Sequence, residues 1–320
     1  MKRIGVLTSG GDTPGMNAAI RAVVKAARVN SVSVMGITKG FTGLIEGRVH
    51  EMHRADVANI VGDGGTILKT ARCKRFKTDE GQLKALQVLQ AFDIDGLIII
   101  GGDGSYKGAK ALWERGFPTI GLPGTIDNDL AYTDFTIGFD TAVSGVVGEI
   151  RKIRDTMESH ERIGVIEVMG NKCGDIALHS GISGGAEHIL VPEIPFDLDQ
   201  ICDDLIFDSI RGKFTSIIMV SEGAGKSEAL ANYIHAKTNL DVKPIVLGYT
   251  QRGGTPTHQD RLLASRLGIR AVELLIEGKY GRVVGVRDNE VIDDDIGEAL
   301  KMKSQINQRF YDIAATLASL

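Results

Sequence analysis

Short, almost wholly apolar runs recur along this chain, each followed by a glycine-bearing loop and then by residues at helical spacing. Val6-Leu7, Val32 to Ile37, Leu97 to Ile100, Ile120 to Leu122, Ile163 to Val168, Ile217 to Val220 and Ile245 to Leu247 read as buried strands. Between them lie helical stripes. Ile20, Val23, Val24 and Ala27 share one face, as do Val143, Val146, Val147, Ile150 and Ile153. Strands apolar on both faces, alternating with helices, predict parallel sheets covered on both sides. Ligands of such sheets sit beyond the carboxyl ends of the strands. The loops that matter are therefore Ser9–Gly15, Gly101–Ser105, Pro123–Asp129, Met169–Gly174, Glu222–Gly225 and Gly248–Gly254.

A length of 320 residues suits about two domains, and 43% hydrophobic residues are enough to fill their cores. A net charge of −4 argues against a nucleic-acid binder, which carries a clustered basic surplus. The 40 glycines and only 5% aromatics suit loops that bring backbone close to a ligand. Cys73, Cys173 and Cys202 form no CxxC pair, so a reducing compartment fits better than a disulfide framework or a zinc site. Ile4 to Leu7 is too short for a signal sequence, and no run approaches the roughly 20 apolar residues of a membrane helix. The expectation is a cytoplasmic protein with no membrane partner. Neither a repeat nor a low-complexity linker marks a domain boundary.

Ser9-Gly10-Gly11-Asp12-Thr13-Pro14-Gly15 follows the first strand and opens a helix, where backbone N–H groups and the helix N-terminus favour an anion. A tight strand-to-helix turn would use the same residues. In Gly101-Gly102-Asp103-Gly104-Ser105, Asp103 could serve a hard cation carried by a phosphate chain, or could cap the next helix. Pro123-Gly124-Thr125-Ile126-Asp127-Asn128-Asp129 is the most informative loop. Of its two carboxylates, one can accept a hydroxyl proton while the other helps hold a metal. A surface turn also uses Asp and Asn, so the weight lies in the three loops together. Arg72, Arg162 and Arg252 are candidate phosphate clamps, although a single Arg is more often surface charge.

Other patterns carry less. Gly225-Lys226-Ser227 imitates the end of a P-loop, but Val220 stands where that motif needs Gly. Gly181-Ile182-Ser183-Gly184-Gly185 matches a nucleophile elbow, yet a helical segment precedes it and the apolar Ile189–Val191 follows, the reverse of an elbow. His50 and His53 have no third ligand in view, and Trp113 reads as packing.

Taken in order and spacing, the loops resemble the ATP-dependent 6-phosphofructokinase family across essentially the whole chain. The resemblance is carried by Leu7-Thr8-Ser9-Gly10-Gly11-Asp12, Ile100-Gly101-Gly102-Asp103-Gly104-Ser105, Pro123 to Asp129, Met169-Gly170 and Gln251-Arg252-Gly253-Gly254. It implies two three-layer α/β/α domains with mainly parallel sheets and the active site in the cleft between them. Residues 1–138 with 252–304 would bind ATP, and 139–251 with 305–320 would bind the sugar phosphate. The implied reaction transfers the γ-phosphoryl group of Mg·ATP to O1 of fructose 6-phosphate, a step of glycolysis, in a homotetramer.

The resemblance also implies roles residue by residue. Asp127 would be the general base, Thr125 would hold the transferring group, and Asp103 with Asp129 would organise Mg²⁺. Gly11 would offer its N–H to phosphate and Arg72 would bridge the phosphates of ATP and sugar. Phe41, Cys73, Gly102, Gly104 and Ser105 would lie along the nucleotide. Met169, Gly170, Asn171, Glu222, Tyr249 and Arg252 would line the sugar, and Arg162 with Lys243 would reach its 6-phosphate from a neighbouring subunit. An effector site for ADP or phosphoenolpyruvate would use Arg21, Lys25, Arg54, Arg154, Gly185, Glu187, Arg211 and Lys213. Without the resemblance, Arg21, Lys25 and Arg28 would read as a solvated helix face.

Four positions depart from the bacterial pattern. Phe41 replaces Tyr, Asn171 replaces Arg, Lys243 replaces Arg, and Tyr249 replaces His. Three of these surround the sugar phosphate, which leaves another ketohexose 6-phosphate as an alternative substrate. Pyrophosphate-using relatives carry Asp at the position of Gly104 and Lys at that of Gly124, so glycine at both favours ATP. A regulatory subunit that binds the same ligands without turnover would lack Asp103 or Asp127, and both are present.

Overall fold

The computed structural model describes residues 1–304 and 306–318. The strands are β1 Arg3–Thr8, β2 Ser33–Ile37, β3 Val49–Met52, β4 Gly96–Gly101, β5 Thr119–Pro123, β6 Ile163–Val168, β7 His188–Leu190, β8 Ser216–Ser221, β9 Val242–Val246, β10 Arg282–Arg287 and β11 Glu290–Asp295. The α-helices are α1 Met16–Val29, α2 Gly40–Glu46, α3 Asp79–Ala91, α4 Asp103–Trp113, α5 Phe139–His160, α6 Asp175–Gly184, α7 Leu198–Ile210, α8 Ser227–Thr238, α9 His258–Ile276, α10 Ile296–Ala299 and α11 Gln308–Ala318. Two compact units result. The first comprises Met1–Ile126, Leu130–Thr141 and Arg252–Lys303, and the second Asp127–Asp129, Ala142–Gln251 and Ser304–Leu320. Residues 305, 319 and 320, which enter the expected second domain, lie outside the described residues.

The first unit is built on a seven-stranded sheet in the order β11-β10-β5-β4-β1-β2-β3. Its central pairs are parallel, and the edge pairs β10–β11 and β2–β3 are antiparallel. Strand alternation sorts the core onto two faces. Ile4, Val6, Ile98, Ile100, Ile120 and Leu122 pack against α1 and α9. Leu7, Leu97 and Ile99 pack on the other side with residues of α2, α3 and α4. Each such buried side chain contributes about 1.5–3 kcal/mol. Among them sits one buried carboxylate, Asp260, 1% exposed. It accepts hydrogen bonds from Gly138 N (2.7 Å), Thr141 N (2.8 Å) and Thr141 Oγ1 (2.5 Å). Burial pushes its carboxyl up to about 6, against those bonds.

The second unit holds a four-stranded parallel sheet, β7-β8-β6-β9. Ile163, Val165, Ile218 and Val220 pack against Ile201, Leu205, Leu230 and Ile234 from α7 and α8. On α5, Val146 and Ile150 are buried, whereas Val143, Val147 and Ile153 are only partly covered. β9 differs from the expected Ile245–Leu247: it starts at Val242, and Val246 is 64% exposed. It is an edge strand, so one side of it lacks the cover that an interior strand has. The edge strands β3, with His50 and Glu51 between its apolar ends, and β11, mostly acidic, have no all-apolar signature and were not legible in the sequence. Among the described residues, no helix is long and apolar enough to cross a membrane.

Candidate active site

In the first unit, β1 and β4 are neighbours although nearly ninety residues separate them, because β2 lies to one side of β1 and β4 and β5 to the other. This is the topological switch point of a doubly wound sheet. The two Gly-Gly loops that end these strands therefore lie side by side. Ser9 N donates to Ile100 O (2.9 Å), and Ser105 Oγ donates to Ser9 O (3.1 Å). The third loop joins them through Gly124 N to Gly101 O (3.1 Å). Thr136 Oγ1 fastens it from behind by donating to Thr125 O (2.7 Å), and Thr125 lies in contact range of Gly102.

Gly101 is demanded by close approach. A Cβ there would strike Ser9 O and the Ser105 side chain, whereas one on Gly11 would meet only the flexible end of the Arg252 side chain, which can shift. Arg252 Nη1 also donates to Asp12 O (3.3 Å), so this cation rests on the Ser9–Gly15 loop. Asp103 opens α4 and pairs with Lys107 one turn on (2.6 Å). Gly104 faces open space, whereas a Cβ on Gly124 would press on Ile100 and Met16 at 2.9 and 3.1 Å. Gly124 thus has a packing reason of its own, whereas Gly104 has none.

The segment carrying Arg72 and Cys73 is tied to the same strand end. Thr8 Oγ1 donates to Lys69 O (2.9 Å) and Thr70 Oγ1 to Gly10 O (2.8 Å). Arg72 is exposed and Cys73 half-buried. Phe41 is 4% exposed and stacks on Phe76 with ring centroids 4.0 Å apart, so most of its surface is spent on the core.

Asp127, Asn128 and Asp129 group with the second unit and are all half-buried. Asn128 has left-handed backbone (φ 53°), and its Nδ2 donates to Asp175 Oδ2 (2.8 Å) at the start of α6. Burial raises the Asp175 carboxyl above its usual range, while the Asn128 bond acts the other way. Nothing in the sequence singled out Asp175.

The other loops of the second unit interlock through side chains. Asn171 N donates to Glu222 Oε1 (3.0 Å), and Met169 N donates to Gln251 Oε1 (3.0 Å). Gly174 N donates to Glu193 Oε1 (2.9 Å). Met169, Gly170, Asn171 and Glu222 therefore form one cluster beyond the carboxyl ends of β6 and β8, and Tyr249, 84% exposed, stands on the turn after β9. Arg162 and Lys243 lie at the opposite ends of their strands. Asp241 holds both: Arg162 Nε and Lys243 Nζ each approach a carboxylate oxygen at 2.6 Å. Asp241 went unnoticed in the sequence because an acid in the turn between α8 and β9 carries no local signal.

A third cluster of the second unit gathers Arg154, Gly185, Glu187 and Lys213. Arg154 pairs with Glu187 (3.4 Å) and donates to Gly185 O, and Lys213 pairs with Glu187 (3.6 Å) and Asp208 (3.1 Å). Arg211 lies over the Phe207 ring at 5.1 Å. Beside them is a cavity of 520 Å³ lined by residues that include Glu187, Phe196, Phe207, Arg211 and Tyr311. In the first unit, Arg21 and Lys25 are half-buried one turn apart on α1, and Arg54 is exposed after β3.

The discounted patterns have structural roles. Lys226 pairs with Glu167 (2.7 Å), whose other oxygen accepts from Ser227 N (2.9 Å). Burial pushes the Glu167 carboxyl up, but Lys226 and Ser227 outweigh it and hold it below its usual range. Ser183 lies within α6, and Trp113 stands edge-on to Tyr280.

Comparison with known proteins agrees with this arrangement. The profile of the phosphofructokinase family matches residues 3–275. ATP-dependent 6-phosphofructokinases of Clostridium novyi (strain NT) and Clostridium tetani (strain Massachusetts / E88) are each 55% identical over 318 residues, covering 99% of this chain and 100% of theirs. The structure of phosphofructokinase from Saccharomyces cerevisiae superposes with a TM-score of 0.87 at 33% identity, over 99% of this chain and 48% of the yeast chain. With phosphate-type loops at the switch point and full-length likeness at this level, the chain belongs to the phosphofructokinase family.

Proposed function

We infer that this protein is an ATP-dependent 6-phosphofructokinase, which moves the γ-phosphoryl group of ATP to O1 of fructose 6-phosphate. The observation that carries the reading is the pair of Gly-Gly loops at the β1–β4 switch point, with Thr125 against Gly102 and Asp127 two residues further along the chain. The clostridial relatives, by their names, support ATP as donor. So does the open space at Gly104, where a nucleotide needs room.

Phosphoryl transfer depends mainly on positioning and charge neutralisation, and the residues divide that work. Gly11 N–H and Arg72 bind phosphate oxygens, and Thr125 orients the transferring group. Arg252 adds positive charge beside the Gly11 loop. Asp127 takes the proton from the sugar 1-hydroxyl as the new O–P bond forms. Mg²⁺ arrives with ATP as part of the substrate and offsets phosphate charge; Asp103 and Asp129 would hold it. Two carboxylates suit this role, because Mg²⁺ on a nucleotide takes one or two protein carboxylates and fills its other positions with phosphate and water. On the sugar side, Met169, Gly170, Asn171, Glu222 and Tyr249 form the lining.

Arg162 and Lys243 act on the 6-phosphate of a neighbouring subunit's substrate. The support lies in β6 itself. Arg162 precedes it and Met169 follows it, so the two are roughly 20 Å apart at about 3.3 Å per residue. A chain's own clamp is thus at the wrong end of the sheet for its own sugar loops. The reading that follows is a homotetramer with shared sites. It works in the cytoplasm in glycolysis, and ADP or phosphoenolpyruvate is bound by Arg21, Lys25, Arg54, Arg154, Gly185, Glu187, Arg211 and Lys213.

ADP release should require both ATP and fructose 6-phosphate, and pyrophosphate should not replace ATP. Comparable rates with pyrophosphate, or no turnover with any ketohexose 6-phosphate, would overturn the reading. Shared sites are tested by letting Asp127→Ser chains exchange with Lys243→Ala chains. Recovered activity is expected; its absence after proven exchange would place both residues in one chain's site.

A further inference from the structure

We propose that Asp175 is a positioning residue for phosphoryl transfer, holding the Asp127–Asp129 segment through its hydrogen bond to Asn128. The proposal rests on the reading of Asp127 as the general base.

The argument starts from the backbone. Asn128 is in the left-handed region at φ 53°, a conformation that Asn tolerates better than most residues but that still needs support from its surroundings. The residue lies between the two carboxylates assigned to chemistry, so its backbone dihedrals set the directions of both. An anchor on its side chain therefore constrains Asp127 and Asp129 together. That anchor is Asp175 Oδ2, 2.8 Å from Asn128 Nδ2.

The acceptor is itself well fixed. Asp175 is the first residue of α6, where the helix N-terminus favours a negative charge. The turn before it is pinned on two sides: Ser221 Oγ donates to Cys173 O (3.2 Å), and Gly174 N donates to Glu193 Oε1 (2.9 Å). One turn along α6, His179 meets the Phe310 ring of α11 edge-on at 5.2 Å. A short loop that would otherwise sample several conformations is thereby tied to a packed helix. A misplacement of an ångström at a reacting group is enough to cost a large factor in rate.

The chemistry requires an acceptor at Asp175, not a charge. Asn at this position keeps a carbonyl oxygen for Asn128, and Ala keeps nothing. The test measures kcat, both KM values and Tm for Asp175→Ala, Asp175→Asn, Asn128→Gly and the double variant Asn128→Gly/Asp175→Ala. Asp127→Ser is assayed alongside. Glycine is chosen at 128 because it accepts positive φ, so loss of the side-chain anchor adds no steric strain to the backbone.

Asp175→Ala and Asn128→Gly should each lower kcat by about 10- to 100-fold, with both KM values within about threefold of the parent. The double variant should be no worse than either single one, because both remove the same bond. Asp175→Asn should restore most of the rate. An unchanged kcat in Asn128→Gly overturns the proposal, and this variant decides the matter if Asp175→Ala fails to fold. Equal losses in Asp175→Asn and Asp175→Ala overturn it too, since the charge would then be what matters. Full activity in Asp127→Ser would instead remove the general-base reading. Loss there with no loss at 128 or 175 removes this proposal alone.

Discussion

The glycine loops of the first unit and the loops beyond β6 and β8 in the second share main-chain bonds but differ in the side chains that hold them. Ser9 N on Ile100 O and Gly124 N on Gly101 O tie the first set, and Glu222 N on Val168 O ties the second. In the first unit the added side chains are hydroxyls that donate to main-chain carbonyls, Ser105 to Ser9 O, Thr70 to Gly10 O and Thr136 to Thr125 O. In the second they are acceptors: Glu222 for Asn171 N, Gln251 for Met169 N, Glu193 for Gly174 N and Asp175 for Asn128 Nδ2. Of the four expected departures from the bacterial pattern, Phe41 is buried in the first unit. Asn171, Lys243 and Tyr249 are all in the second unit, and all are partly or largely exposed.

The largest effect is expected at the residue proposed as the general base. Asp127→Ser should lower kcat by roughly 10²–10⁴-fold while leaving the fold intact. A correctly folded variant with near-normal turnover would show that the loop's other carboxylate, or none, takes the proton.

Next comes a direct strike at the glycine loops of the first unit. Gly101→Ala places a methyl group against Ser9 O, which belongs to the main chain and cannot swing away. Overpacking of this kind costs about 1–3 kcal/mol. Thermal unfolding should shift downward and the KM for ATP should rise about tenfold, with less effect on the sugar KM. A variant with parental Tm and ATP affinity would mean that the loop relaxes freely, and the contrast between the units would fail.

The matching strike on the second unit is Glu222→Ala, which removes the acceptor from Asn171 N (3.0 Å). The sugar KM should rise about tenfold, the size of one hydrogen bond to a charged group, and the ATP KM should hold. Equal rises in both would mean that the two sets of loops are not separately held. Smallest is Lys243→Arg. A planar fork replaces a point charge, so sugar affinity should improve by only a few fold. Asp241, 2.6 Å from Lys243, would also compete for the new guanidinium. Weaker sugar binding would show that Asp241 wins that competition.

Much of this was legible in the residues. Alternation of apolar runs with helical stripes specifies strands and helices, because burial on two faces or on one stripe requires those periods. Glycine-rich loops after strands mark phosphate sites, because close backbone approach excludes side chains. Both are local consequences of sterics and burial, and a sequence records them locally. What tertiary structure alone decided is which distant segments meet. It set β1 beside β4, laid Arg252 on the Gly11 loop and gave Asp175 to Asn128. It also put Arg162 and Lys243 on one aspartate at the far end of the sheet from the Met169 and Glu222 loops. The edge strands β3 and β11 belong with these, since pairing with a neighbour, not their own pattern, makes them strands. Such contacts follow from the packing of whole sheets and helices, a sum over many long-range interactions that leaves no periodic trace in the residues that finally touch.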